Sequence, residues 1–338
     1  MRALLLLPLL VLPRAQEAEL PFHDVVRVVD GDTLWIERNG ELEKLRLVSV
    51  DTEEKILGLP AISATKPETV FGEETAQWAR AFFAELAEPG RPPRVALRFP
   101  DGKEQRDAYG RLLCHVLLPD GRDFNLLLVA EGRSPYFNKY GNSPLCHEAF
   151  VRAQEEARRL QLGIWNPATN RPRNTVLDGV EDARRHYEWL LPWWQARADA
   201  LDAFRAARAA GAFLIDAEAP VELARALVDC EAHPENDVEV FGSIDRFFDE
   251  EDGSLTVLFR TGDRQRAFRA ELPASRDAAL ETMLRTSTDE MRQNYLIVRG
   301  RVFRGERGYR MHAGSSAAWR LAGPEPGSPP ELPANEGR

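Results

Sequence analysis

The sequence predicts a mixed α+β chain, mainly β with helices, in two halves joined by a helical connector. Three observations predict it. Residues 28–36 read as a strand, an Asp-Gly turn and a second strand, and residues 44–50 follow as a third strand-like run. Apolar residues then recur with helical spacing over 72–86, 124–131, 145–162 and about 176–210. From Val238 the period becomes strand-like again, over 238–248, 255–260, 266–272, 296–303 and 309–312, with one helical stretch at 275–284.

A length of 338 residues accommodates about two domains. Hydrophobic content of 43% and charged content of 29% describe a globular chain with ample core. The net charge of −10 excludes a protein that holds nucleic acid by bulk electrostatic attraction, and leaves room for a local positive site. Residues 1–18 read as an export signal: Arg2 precedes an apolar run rich in Leu, and the small residues Ala15 and Ala18 follow. That run is too short for a permanent span, and no Cys follows it. The expected location is secreted or periplasmic, with no integral membrane segment after signal removal; the alternative is an uncleaved tether. The three cysteines, Cys114, Cys146 and Cys230, lack zinc-ligand spacing. Cys114 and Cys146 are either simply buried or joined by one disulfide.

Pairing of the first three strands in sequence brings Asp32, at the turn, toward Asp51, at the strand end. Two carboxylates with nearby carbonyls make a hard-cation site suited to calcium. Taken alone, residues 30–33 are a turn and residues 51–54 a solvated loop. Two further features go with them: Arg46, an odd residue among apolar neighbours, and the segment Arg106-Asp107-Ala108-Tyr109-Gly110-Arg111, which ends a loop and starts an apolar run.

Asp-Gly-Asp-Thr (30–33), Arg-Leu-x-x-Val-Asp-Thr-x-Glu (46–54) and Asp-x-Tyr-Gly-Arg (107–111), in that order and spacing, resemble the staphylococcal nuclease (thermonuclease) family over residues 22–165. The resemblance implies a five-stranded OB-type barrel with three helices. It also implies a calcium-dependent phosphodiesterase acting on DNA and RNA. Carried over by motif, Asp32, Asp51 and the carbonyl of Thr52 are the expected Ca2+ ligands. Glu54 is the expected general base or water-orienting group, Arg46 and Arg111 the phosphate clamps, and Tyr109 part of the nucleotide pocket. Tyr136, in the loop 134–137, is the expected stacking aromatic. The chemistry is coherent: phosphodiester hydrolysis gathers charge on phosphoryl oxygens, and a cation with two guanidinium forks offsets it. Glu53 departs from the family, which usually has proline there; an extra carboxylate beside the metal either tightens calcium binding or repels phosphate.

The remaining elements follow in order. Residues 55–70 are a loop beside the predicted site. The helix 72–86 starts with Glu73 and Glu74, and its Trp78 is expected in the core. Strands 94–99 and 112–118 flank a charged loop in which Asp107 braces Arg111 or Arg106, and Arg106 is otherwise a solvated charge. His115 is expected to be a satisfied structural histidine. Gly132 ends the helix 124–131, whose Asn125 resembles a buried structural Asn of the family.

The second half opens with a Pro-containing linker at 166–174. The aromatic-rich helical segment that follows contains Tyr187, Trp189, Trp193, Trp194 and Phe204, and is expected to bury these rings. Five short strands with one helix predict a second, smaller OB-like barrel. Residues 239–324 hold 14 arginines, no lysine and 13 acids, a net of about +1, so the rest of the chain carries about −11. Arg299, Arg301, Arg304, Arg307 and Arg310 cluster around Tyr309, which makes a nucleic-acid contact face one reading and a guarded strand edge the other. The expected domains are 1–18 (signal), 22–167 (nuclease-like), 168–235 (linker and helical connector), 236–323 (OB-like) and 324–338 (a Pro- and Glu-rich disordered tail). The leading functional reading is an exported calcium-dependent nuclease with DNA or RNA as substrate. The alternatives are a non-catalytic binding module on the same fold and a structural envelope protein.

Overall fold

The computed structural model describes residues 20–55, 68–107, 109–170, 187–286 and 295–322. The predicted export signal, most of the 55–70 loop, much of the linker and the C-terminal tail lie outside the described residues. Among the described residues, no helix is long and apolar enough to cross a membrane.

Five strands form a closed barrel: β1 (Phe22–Val28), β2 (Thr33–Arg38), β3 (Glu41–Leu47), β4 (Arg94–Arg98) and β5 (Leu112–Leu117), in the order β1-β2-β3-β5-β4. Alternation sends Leu34, Ile36, Leu45, Leu47, Val95, Leu97, Leu112 and Cys114 into its core. Arg46, between two core leucines, therefore faces outward. The parallel register of β3 and β5 pairs Leu45 with Leu112 and Arg46 with Leu113, which sets Arg111 beside the end of β3 that carries Arg46.

The tight two-residue turn is not at Asp30-Gly31. It is at Asn39-Gly40, between β2 and β3, where both residues have positive φ (53° and 80°), as a type I′ hairpin requires. The Asp30-Gly31-Asp32 loop is wider, and Gly31 serves close approach: a Cβ there would lie 2.5 Å from the Thr52 side chain and 2.8 Å from that of Thr75.

Three helices complete the first unit: α1 (Val70–Leu86), α2 (Phe124–Ala130) and α3 (His147–Arg159). Asp123 caps α2 by accepting from the N–H groups of Asn125 and Leu126. Asn125 is fully buried, as expected. Its Oδ1 accepts from Val116 N (3.1 Å), and its Nδ2 donates to the carbonyls of Val48 (2.9 Å) and Cys114 (3.1 Å). Trp78 stacks on Phe82 and Phe124 in the core, as expected. All three cysteines are free, so Cys114 and Cys146 are not bridged.

The connector is α4 (Tyr187–Ala209), which runs through Pro192. Its first turns bury Tyr187, Leu190 and Trp194 against Phe71 and Ile164 of the first unit. Its later turns bury Ala200 and Phe204 against Phe241, Tyr295 and Ile297 of the second. One helix thus has a core at each end. Arg197 lies at the junction, almost fully buried; its Nε donates to Lys139 O (3.0 Å) and its guanidinium lies 4.1 Å from the Tyr295 ring centre.

The second half contains β6 (Leu214–Asp216), α5 (Pro220–Ala232), β7 (Val238–Asp249), β8 (Leu255–Phe259), β9 (Phe268–Leu272), α6 (Ala278–Thr286), β10 (Tyr295–Gly300), β11 (Val302–Arg304), β12 (Tyr309–His312) and β13 (Trp319–Leu321). Its sheet order is β11-β12-β9-β8-β7-β10-β13, with β6 added parallel to β7. The pairing repeats the first barrel: β7 with β8, β8 with β9, β9 parallel to β12, β12 with β11, and β10 back to β7. The fourth strand is broken at Arg301, so the ring is completed through the chain between β10 and β11. This is the expected OB-like pattern, extended by β6 and β13.

Replacing Asn125 with Ala removes three buried hydrogen bonds and strands their partners. The expected loss is about 3 kcal/mol of unfolding free energy, read by urea denaturation.

Candidate functional site

Asp32 and Asp51 meet at one end of the first barrel. Arg46 pairs with both: its Nη1 with Asp32 Oδ1, and its Nη2 with Asp51 Oδ1 at 2.8 Å. Both acids are buried, at 5% and 2% exposure. Against the cost of burial, the two carboxylates hold the guanidinium firmly charged. Asp32 Oδ2 accepts from Thr52 N (2.8 Å) and Thr52 Oγ1 (3.1 Å), which ties the 30–33 loop to the 51–54 segment.

Neighbouring chain fixes this cluster. Ser49 takes positive φ (63°) and turns the chain after β3. Ser134 Oγ accepts from Asp51 N at 2.8 Å, Phe137 N donates to Ser49 O at 2.9 Å, and Val50 bridges to Tyr136. On the other side, Thr69 N donates to Glu54 O (3.0 Å). Gly72 lets α1 lie against the same stretch: a Cβ there would stand 2.1 Å from Glu54 O and 2.8 Å from Glu53 O. Nothing in the three sequence motifs points to Ser134 or Gly72. A buried Ser beside Pro and a Gly in a first helical turn were the available signals.

The Glu53 carboxylate is engaged at the start of α1. It is buried, and its Oε2 accepts from Thr69 Oγ1 at 2.6 Å. Thr69 is the N-cap of α1 and accepts from Gly72 N at 2.9 Å. Glu53 thereby fastens its loop to the positive end of a helix.

The cluster carries excess negative charge. Burial, with Asp32 and then Glu54 close by, pushes the Asp30 carboxyl from 3.8 up to about 7. Buried carboxylates, a backbone carbonyl at Thr52 and oxygen-only donors suit a hard divalent cation rather than a soft metal.

Arg111 stands beside this cluster. Its Nε donates to Asp107 Oδ2 (2.6 Å), while Asp107 Oδ1 accepts from the N–H groups of Tyr109 and Arg111 (both 2.9 Å). Against burial, these bonds hold Asp107 below the usual carboxylate range. Asp107 thus braces Arg111. Arg106 is not a lone solvated charge, since it forms a two-pronged pair with Glu43 (2.6 and 2.8 Å). Tyr109 is 86% exposed, with the Arg111 guanidinium 5.5 Å from its ring centre.

Arg46, Asp51, Asp107, Tyr109 and Arg111 line one cleft of about 660 Å3. Tyr136 does not line it. Tyr136 is 2% exposed, stacked on Phe150, and its hydroxyl accepts from Ser143 N (2.8 Å) and bonds His147 Nδ1 (3.0 Å), so the expectation of a stacking role fails. Tyr140, 52% exposed, lines the cleft instead. The turn-forming run Asn138-Lys139-Tyr140-Gly141-Asn142 was the signal for an exposed aromatic.

His115 Nδ1 lies 2.7 Å from Asp123 Oδ2, and Nε2 is buried with no hydrogen-bond partner among the described residues, so this histidine is only half satisfied. The ligand atoms of His115, Asp123 and Cys146 lie within 4.8 Å of one another.

Within the arginine cluster around it, the Tyr309 ring is not available for stacking. Tyr309 is buried in the second core, Arg299 pairs with Asp237 (3.4 Å), Arg301 donates to Cys230 O (3.0 Å), and Arg310 pairs with Glu271. The Arg304 guanidinium covers the Tyr309 ring at 5.3 Å.

The sequence profile described as "Staphylococcal nuclease homologue" matches residues 44–167. A thermonuclease of Staphylococcus intermedius is 32% identical over 143 residues, which cover 42% of this chain and 74% of the relative. The chain belongs to the staphylococcal nuclease-like family. An uncharacterized protein of Methanocaldococcus jannaschii is 30% identical over 162 residues, 44% of this chain and 73% of that one. The endonuclease YhcR of Bacillus subtilis is 32% identical over 157 residues, 46% of this chain but 12% of its own length. These matches, each under half of the chain, fall on a stretch the length of the first barrel and its helices.

One pH dependence follows. Folded Asp30 keeps its proton to about pH 7, whereas the unfolded chain releases it near 3.8, so the folded state binds more protons in between. Stability therefore falls as pH rises across that window. Thermal melts in a chelator are expected to show this fall in the native protein and a flatter profile in Asp30→Asn.

Proposed function

We propose that this protein is an exported, calcium-dependent nuclease that hydrolyses phosphodiester bonds of DNA, RNA or both. The observation that carries the reading is the convergence of Asp32, from the first motif, on Arg46 and Asp51, from the second, which line one cleft with Arg111, from the third. Relatives named thermonuclease and endonuclease support it. Export rests on the sequence of residues 1–18 alone.

Asp32, Asp51 and the Thr52 carbonyl would hold the ion. When bound, calcium supplies positive charge that offsets the charge gathering on the phosphoryl oxygens. Arg46, held by both acids, points its guanidinium fork into the cleft, where it would grip a phosphate of the substrate. Arg111, aimed by Asp107, grips the same phosphate from the other strand. Glu54 accepts the proton of the attacking water. Tyr109 lies against the nucleotide through its exposed ring.

The test is cleavage of single-stranded DNA with calcium and with a chelator. Activity is expected only with calcium. Arg46→Ala and Glu54→Gln are each expected to lower kcat about 10²–10⁴-fold with an unchanged far-UV spectrum. Full activity in either variant overturns the assignment. Gly72→Ala touches no cleft residue but pushes on the Glu54 carbonyl; by displacing Glu54 it should reduce kcat about tenfold to a hundredfold. An unaltered kcat there would mean that α1 does not set the position of Glu54.

A further inference from the structure

The cleft does not end with the family's barrel. Beyond Tyr140 its wall is built by Arg205, from the connector α4, and by Arg260, the residue that follows β8 in the second half. Neither lies within the residues that match the family profile. We propose that Arg205 and Arg260, with Lys139 and Tyr140, form a second binding subsite that takes the flanking nucleotides of a single-stranded nucleic acid whose scissile phosphate lies at Arg46 and Arg111.

Four observations carry it. The cations come from three separate elements, yet converge on one cleft in a chain whose net charge is −10. An aromatic lies among them: the Arg260 guanidinium is 5.5 Å and Lys139 Nζ 5.9 Å from the centre of the Tyr140 ring. A positive groove with an exposed ring is how single strands are held without sequence readout, by phosphate contacts and base stacking. The arrangement is also built in place. Arg197 donates to Lys139 O and packs on Tyr295, which welds the Lys139–Tyr140 loop to the second half. Gly141, at φ +114°, leaves room for the Arg205 head group, which a Cβ would meet at 3.0 Å. Finally, Arg205 is held only weakly by Asp202, at 3.4 Å with both side chains about half exposed, so a phosphate competes for it readily. The second half is on this account a wall of the substrate cleft and not a separate module.

The inference rests on the nuclease reading for the polymer and for the scissile end, so the test separates the two. Binding of fluorescein-labelled (dT)12 and of the dinucleotide dTpdT to the full-length protein is measured by anisotropy and competition, in a chelator. The native protein is expected to bind (dT)12 more tightly. In R205A/R260A the ratio of the two affinities should fall at least tenfold, and the plot of log affinity against log salt should become shallower by about 1.4, since each of the two lost phosphate contacts on a single strand contributes about 0.7 to that slope. Arg205 is exposed enough that R205E keeps the fold even if the Arg260 change does not; it alone should lower the ratio at least fivefold. An equal loss for both lengths, or no loss in R205E, overturns the subsite. If native protein binds in this length-dependent way yet never cleaves DNA with calcium, the subsite stands and the nuclease reading falls.

Discussion

Everything at the candidate site depends on one guanidinium shared between two buried carboxylates. Arg46 leaves a strand whose neighbours, Leu45 and Leu47, are locked in the barrel core, so its exit point is set by packing. Asp32 reaches it from the β1–β2 loop and Asp51 from the turn after β3. Remove the positive charge and these acids crowd one another; the Asp30 carboxyl is already raised, by burial first and then by Asp32 and Glu54. A cation in such a cluster offsets that repulsion. Here that cation is Arg46.

The supports of the site are as specific as the site itself. Two glycines allow close approach: Gly31 brings the first acidic loop onto Thr52, and Gly72 brings α1 onto the Glu53–Glu54 backbone. Ser134 holds the amide of Asp51, and Glu53 is spent on the cap of α1. A proline in place of Glu53 would stiffen the loop from within; a buried carboxylate tied to a helix N-terminus stiffens it from outside.

Much of this was legible in the sequence. The acids, the two arginines and the three-strand start were read from motif order, because β pairing between consecutive strands makes separated residues neighbours. The second barrel was read from its change of period, and its topology holds. The failures are local. Asp-Gly was read as the tight turn, whereas the sharp reversal belongs to Asn39-Gly40; both dipeptides tolerate turns, and only the positive φ pair decides. Tyr136 is read as the stacking aromatic from its place in a loop, but burial is a tertiary property, and the ring exposed at the cleft is Tyr140. The arginines around Tyr309 looked like a face, but strand alternation turns Tyr309 inward and gives several of them carboxylate or carbonyl partners. The convergence of Arg205 and Arg260 on the first barrel's cleft has no sequence signal, since it depends on α4 having a core at each end.

The most direct measurement is a crystal structure of the protein with calcium and a non-hydrolysable single-stranded oligonucleotide. The expected result is one ion held by Asp32 and Asp51, with the Arg46 fork on a phosphate that Arg111 also holds. A structure in which the ion lies elsewhere, while Arg46 remains paired with both carboxylates and away from the phosphate, would contradict it.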